Sequence, residues 1–234
     1  MSTFTTLYEE ILTEEGLSGY LSLAPAFEEL TGRLLAFNAV TNITAITDTE
    51  EIIRRHYADC LQIASLIPQN ARLLDVGCGG GFPTLPLAIA RPDLQITALD
   101  STAKKLTFVS QCAREMGLSV TPLAGRAEEL GRDAAYRECF DVVTARAVAA
   151  LPVLSEWCLP FVRVGGLFLA MKGSAGLEEL KEAQNAISTL GGTLKEAKKE
   201  EIGGIIRYNL LIEKKLPTPD RFPRSNGAIK KKPL

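Results

Sequence analysis

The chain has 234 residues, 46% of them hydrophobic and 23% charged, and a net charge of −2. That length buries a full core and suits one domain with an appendage, in a composition ordinary for globular proteins. No run of about 18 apolar residues is present, which excludes a membrane-spanning helix. The cysteines at 60, 78, 112, 139 and 158 form neither a disulfide framework nor a metal-ligand spacing, so the expectation is a reducing cytosol and no metal site.

Met1 to Thr6 lacks the basic start and apolar stretch of a secretory leader, which again predicts the cytoplasm. From there apolar residues recur at helical spacing: Leu7, Ile11 and Leu12, then Phe27, Leu30, Leu34, Leu35 and Phe37. Glu9, Glu10, Glu14, Glu15, Glu28 and Glu29 supply the polar faces, and Pro25 fits a helix start. Asp48 before Thr49-Glu50-Glu51 reads as a capped helix opening. Residues 1–70 are therefore expected to form a helical cap. His56 is the only histidine, and packing suits it better than catalysis. Arg54 and Arg55 beside it are candidate phosphate contacts, or solvated charges.

At Leu73-Leu74-Asp75-Val76 a short strand ends in a carboxylate, and four glycines follow between Gly77 and Gly81. Phe82-Pro83-Thr84 then opens a helix. A second strand, Leu94 to Leu99, ends in Asp100, 23 residues after Gly77. Such a loop lets a ligand lie against bare backbone, and Asp100 is placed to take the two hydroxyls of a ribose. The loop reads D-x-G-x-G-x-G rather than the G-x-G-x-x-G of dinucleotide folds, which favours S-adenosyl-L-methionine over a nicotinamide dinucleotide. Gly77, Gly79 and Gly81 leave room for its methionine part, and Asp75 sits near its sulfonium cation. The plainer reading, a turn that only packs a helix on a sheet, is disfavoured because each glycine costs conformational entropy on folding.

Strands are expected at 71–76, 95–99, 119–124, 140–145, 164–171, 193–199 and 205–213, and helices at 83–91, 102–116, 126–132, 149–161 and 176–190. This alternation predicts an α/β domain over 71–215 with a doubly wound, Rossmann-like sheet of seven strands. The last two strands, joined near Gly203-Gly204, should form an antiparallel hairpin, as in class I methyltransferases. After the third strand, the backbone of Ala127 and Glu128 is placed to hydrogen-bond an adenine; a plain helix opening is the alternative. Arg146 ends the fourth strand at the switch point, where it can hold the methionine carboxylate or a substrate phosphate or base, or else form a structural ion pair. That strand end carries neither Asn-Pro-Pro-Tyr nor a Pro-Cys pair. The acceptor should then already own an in-plane lone pair, as guanine N7 does. No catalytic acid or base is expected; catalysis is positioning, with Arg146 the one candidate to assist it.

Residues 216–234 form a basic C-terminal tail. From Lys214 to Leu234 seven bases face one acid, a net +6, leaving −8 on the other 213 residues of a chain of net −2. Arg221, Arg224, Lys230, Lys231 and Lys232 are candidate RNA phosphate contacts, or an ordinary solvated tail. The strands that build the crevice end far upstream, so the tail is expected to stay outside the cofactor site.

With these motifs in place, the chain resembles the bacterial 16S rRNA guanine-N7 methyltransferases, also described as the glucose-inhibited division protein B family. Phe37-Asn38 with Asn42-Ile43-Thr44-Ala45-Ile46, and then Arg55-His56-Tyr57-Ala58-Asp59, are similar to its N-terminal signature. Asp75 to Pro83 resembles its cofactor loop, Arg146-Ala147-Val148-Ala149 the segment after strand four, and Phe222-Pro223-Arg224 with Gly227 and Lys232-Pro233-Leu234 its C-terminal end. Thr84 and Cys78 stand where glycine and Ser or Thr are common, Ala39-Val40 replace residues often basic, and Phe222 replaces a tyrosine. The resemblance implies methyl transfer from S-adenosylmethionine to one guanine in the decoding-region loop, with cofactor contacts at Gly77, Phe82, Ala127, Glu128 and Arg146. It also implies 16S rRNA, the small ribosomal subunit or an assembly intermediate as partner. No membrane partner is expected, and the sequence leaves the oligomeric state open, with a monomer the default expectation. The rival readings are a small-molecule methyltransferase, a nicotinamide oxidoreductase, and a non-catalytic ribosome-assembly factor that keeps the cofactor fold.

Overall fold

The computed structural model describes residues 2–234. Before the sheet begins, the regular elements are all helical: α1 (Thr3–Glu14), α2 (Ala24–Thr41), α3 (Thr49–Ile52), a π turn over Ile53–Ala58, and α4 (Asp59–Leu61). Side-chain caps set two of these starts. The Ser2 hydroxyl accepts from the Thr5 amide at 3.1 Å, and the Asp48 carboxylate from the Glu51 amide at 3.0 Å. The remaining elements are β1 (Arg72–Val76), α5 (Thr84–Ala90), β2 (Gln95–Asp100), α6 (Ala103–Glu115), β3 (Val120–Ala124), α7 (Ala127–Leu130), β4 (Phe140–Arg146), α8 (Leu151–Cys158), β5 (Val162–Lys172), α9 (Gly176–Glu182), α10 (Gln184–Thr189), β6 (Gly192–Ile202), β7 (Ile205–Lys214) and α11 (Asn226–Lys231). The expected helix at 176–190 is two helices, broken at Ala183.

The seven strands are ordered β3-β2-β1-β4-β5-β7-β6. The first five run parallel, and β7 is antiparallel to both β5 and β6. The order reverses between β1 and β4, so ligands are favoured at the carboxyl ends of those strands. Side chains alternate across the sheet. Leu74, Val76, Val143, Ala145, Phe168 and Ile212 face α8 and its neighbours, while Leu73, Ile96, Val142, Leu169 and Met171 face the α5 side.

The N-terminal helices have no separate core: Tyr8, Leu12, Phe27, Leu34 and Tyr57 are buried in one cluster with Phe82, Leu85 and Phe108 of the sheet domain. A file of rings runs through it. Tyr8 stacks on Phe27 at 5.3 Å, Phe27 meets Tyr57 at 4.7 Å, and Tyr57 meets Phe82 at 6.3 Å. The cap therefore touches the glycine loop directly. No described helix is long and apolar enough to cross a membrane.

Candidate active site

The carboxyl ends of β1, β2, β3 and β4 open on a cavity of about 320 Å³. Gly77, Asp100, Ala127, Glu128 and Val148 line it. Gly77 adopts φ +73°, and a Cβ there would meet Val148 Cγ2 at 2.7 Å. Only glycine lets the chain turn here and stay this close to β4. Asp100 is buried with its carboxylate fixed by two amides: Gly79 N–H donates to Oδ2 at 2.9 Å and Thr102 N–H to Oδ1 at 2.7 Å. The acid is thus oriented before any ligand arrives.

Of the expected cofactor contacts, Gly79, Gly81 and Asp75 are not part of this lining. Gly79 orients Asp100, and Gly81 (φ +86°) leaves space for Leu85, which a Cβ would meet at 2.6 Å. Asp75 is fully buried and accepts from Thr84 Oγ1 at 2.6 Å and Thr144 Oγ1 at 3.3 Å. Burial outweighs those bonds and lifts its pKa to about 6. Thr84, a departure from the family's glycine, is thus the chief partner of a buried carboxyl. Thr144 is invisible as such in sequence, because the pairing joins β1 to β4.

Arg146 and Phe82 belong to a second centre. Arg146 donates to the Arg55 carbonyl at 3.0 Å, to Asp59 Oδ2 at 2.8 Å and to His56 Nδ1 at 3.1 Å. Since a guanidinium only donates, Nδ1 accepts and the neutral ring carries its proton on Nε2, 3.2 Å from Thr44 Oγ1. Burial, then the charges of Arg146 and Arg55, push the His56 pKa down to about 3. The ring stacks on Phe82 at 4.2 Å and 13°. His56 is thus held by stacking and by a hydrogen-bond partner at each ring nitrogen, and Arg146 is a paired hub between β4 and the π turn.

Beside this hub is a cavity of about 430 Å³, lined by Arg55, Arg146, Lys172 and Arg207 and by the acids Asp59 and Glu179. Asp59 lies 3.4 Å from Arg207 as well as against Arg146, and Glu179 pairs with Lys172 at 2.6 Å. Ala147, at φ +56°, is common to both cavity walls.

Two of the candidate RNA contacts are engaged within the protein. Arg54 is held by Glu14, Glu15 and Glu50 at 2.8–3.2 Å, so its charge is met inside the cap. Arg224 donates to Glu156, whose side chain is fully buried, from its backbone N, Nε and Nη2 at 2.6–3.2 Å. Arg55, which pairs with Glu51, is exposed, as are Arg221, Lys230, Lys231 and Lys232.

Nor is the tail a solvated arm outside the crevice. Phe222 and Ile229 are buried, Arg132 and Arg137 donate to the carbonyls of Thr218, Arg221, Phe222 and Pro223, and Asn226 and Lys230 line the first cavity. Lys214, counted with the basic tail, is fully buried and donates to Glu138, Leu159 O, Val162 O and Thr218 at 2.8–3.2 Å. Summed sequence charge misses this, because the neutralising partners are 68 and 76 residues away.

The residues present fit S-adenosylmethionine. The pre-oriented Asp100 suits a diol, the amides after β3 suit a base edge, and the cradle at Gly77 leaves the loop backbone bare. Two buried polar atoms in the same lining, Trp157 Nε1 and Asn226 Oδ1, lack a protein partner.

Comparison with known proteins agrees with this geometry. The family model "rRNA small subunit methyltransferase G" matches residues 24–203. A ribosomal RNA small subunit methyltransferase G of Clostridium novyi is 45% identical over 203 residues, 85% of this chain and 84% of that one. The protein of that name from Lactobacillus delbrueckii subsp. bulgaricus is 41% identical over 95% of this chain and 98% of its own. Among solved structures, TrmN from Thermus thermophilus has a TM-score of 0.55 at 23% identity, covering 78% of this chain and 52% of that one. An O-methyltransferase from Bacillus cereus in complex with SAH has a TM-score of 0.55 at 17% identity, covering 80% and 91%. At those identities the likeness is one of fold. The chain belongs to the rRNA small subunit methyltransferase G family.

Proposed function

We propose that the protein transfers a methyl group from S-adenosylmethionine to N7 of a guanine in small-subunit rRNA, presented as 16S rRNA, as the subunit or as an assembly intermediate in the cytoplasm. The first cavity holds the cofactor, with Asp100 on the ribose and the Ala127–Glu128 backbone on the adenine. When bound, that cofactor supplies an electrophilic methyl on a sulfonium, which the N7 lone pair takes without loss of a proton.

The observation that carries the reading is the second cavity. It adjoins the first across Ala147 and offers four cations against two acids, a setting for a phosphate-bearing nucleotide. Its ionisable groups are already committed. His56 is neutral with both nitrogens engaged, and Asp59 and Glu179 are ion-paired. A site without an unengaged base suits an acceptor that gives up no proton. The chain's work is then to bind, orient and exclude water.

The test is to incubate the protein with radiolabelled S-adenosylmethionine and small-subunit rRNA or subunits, and to locate the label by nuclease digestion and mass spectrometry. A single 7-methylguanosine supports the proposal. Methylation at a carbon or an exocyclic amine overturns the acceptor, and binding of cofactor with no transfer to any of these RNAs points to a non-catalytic assembly factor.

A further inference from the structure

Buried donors and acceptors are nearly always paired, and an unpaired one costs stability. Among the described residues, Trp157 Nε1 and Asn226 Oδ1 break that rule, and both residues contribute to the lining of the first cavity. The third such atom, Glu200 Oε1, has Lys198 Nζ at 2.7 Å and lies on the edge strand β6. The pair in the cavity comprises one donor and one acceptor, carried by α8 and α11.

Their relative placement is fixed. Glu156, the neighbour of Trp157, is fully buried and grips Arg224, two residues before Asn226, at 2.6 Å. Lys230 Nζ lies over the indole ring, 5.7 Å from its centre. An ion pair with no solvent access on its carboxylate thus fixes two lining residues, one carrying an unsatisfied donor and the other an unsatisfied acceptor.

Adenine presents a matching pair on one edge: the N6 amine donates and N7 accepts. Its other edge, N1 with N6, faces the backbone after β3 on the reading above. We infer that Trp157 and Asn226 hold the cofactor's adenine by its N7/N6 edge, the indole N–H donating to N7 and the Asn226 carbonyl accepting from the N6 amine. The C-terminal segment is then a wall of the cofactor site and selects adenine over other bases. This rests on the cofactor assignment made under the proposed function.

Calorimetry on the full chain with S-adenosylhomocysteine and its 7-deaza and N6-dimethyl analogues tests it. The 7-deaza analogue lacks the N7 acceptor, and the dimethyl analogue lacks the N6 donors. Each should bind the unaltered protein about three- to tenfold more weakly than the parent, the loss expected for one hydrogen bond. Trp157→Phe should weaken the parent similarly yet leave the 7-deaza analogue unchanged, since that contact is already gone. Asn226→Ala should do the same for the parent and the dimethyl analogue. Equal affinity of the unaltered protein for parent and 7-deaza analogue overturns the inference whether or not the variants fold. So does an equal loss for both ligands in Trp157→Phe. Failure of the unaltered protein to bind S-adenosylhomocysteine at all overturns the cofactor assignment itself.

Discussion

The two ends of the chain dock on the same sheet with different shares of packing and polar bonding. The N-terminal helices sink Tyr8, Leu12, Phe27, Leu34 and Tyr57 into a shared apolar cluster, to which the pairing of Asp59 with Arg146 and Arg207 adds polar anchors. The C-terminal segment buries little besides Phe222 and Ile229, and is tied by guanidinium and ammonium groups instead: Arg224 to Glu156, Lys214 to Glu138, and Arg132 and Arg137 to backbone carbonyls. A long helical segment has enough apolar surface to offset its ordering entropy. A short one does not, so it relies on a few directional bonds, each of which leaves a buried partner stranded when broken. Both ends should therefore be sensitive to single substitutions, the cap through lost packing and the tail through a stranded buried charge.

The largest effects test that contrast. Phe27→Ala removes the middle of the ring file and should cost about 3–5 kcal/mol, with cofactor affinity of the folded molecules unchanged. Arg224→Ala leaves the Glu156 carboxylate buried alone and should cost about 3 kcal/mol, a fall in Tm of roughly 6–12 °C for a chain of this size. Because the same segment carries Asn226, it should also weaken cofactor binding. Adding Glu156→Met to Arg224→Ala should restore more than half of the Tm but not the affinity. Calorimetry and thermal melts read all of these; an Arg224→Ala protein with unaltered Tm would show that the tail is not held as described.

A smaller effect separates the cap's polar contact from its packing. His56 titrates near 6.5 unfolded and about 3 folded, so below pH 6.5 the unfolded state takes up the proton and stability falls. Asp75 behaves oppositely. Its folded pKa of about 6 exceeds the unfolded value of 3.8, so its contribution is complete below pH 3.8 and is lost as pH rises through 6. Between about pH 4 and 6 the two cancel. In His56→Gln only Asp75 remains of the pair, and stability should fall with rising pH by up to about 1.4 kcal/mol per unit. Denaturant titrations at three pH values in that window would show it, and parallel profiles for variant and parent would refute the assignment.

The smallest effects belong to exposed charge. Arg221→Ala and Lys231→Ala should change stability by no more than about 0.5 kcal/mol. Each should lower the slope of log RNA affinity against log salt by about 0.7 if it meets a phosphate of single-stranded RNA. An unchanged slope would move the RNA surface to Arg55 and the second cavity.

Most of the fold is legible in the chain because its signals are local. The loop after Asp75, the alternation of strand and helix, and the paired strands around Gly203-Gly204 each declare themselves within a dozen residues. The candidate site is legible only where it follows a strand end, as at Gly77, Asp100, Ala127 and Glu128. Partners distant in sequence leave no such trace: Thr144 on Asp75 and Arg146 on Asp59. One clue was available. Glu156 stands alone in the apolar helix Leu151–Cys158, and a carboxylate on a buried face requires a cation from elsewhere. A basic segment containing Phe222 and Ile229 was the natural donor.

The tail's position also bears on the order in which the proposed cofactor site is assembled. A chain leaves the ribosome N-terminus first, and its domains fold in that order. The cap and glycine loop share one cluster, so they can settle early in synthesis. The wall bearing Asn226 and Lys230 is added last, after every strand of the sheet. A molecule still being translated, or one cut short by a nonsense codon after Lys214, would have the sheet and no finished cofactor chamber. On the proposed cofactor reading, such a molecule should bind the cofactor more weakly than the full chain.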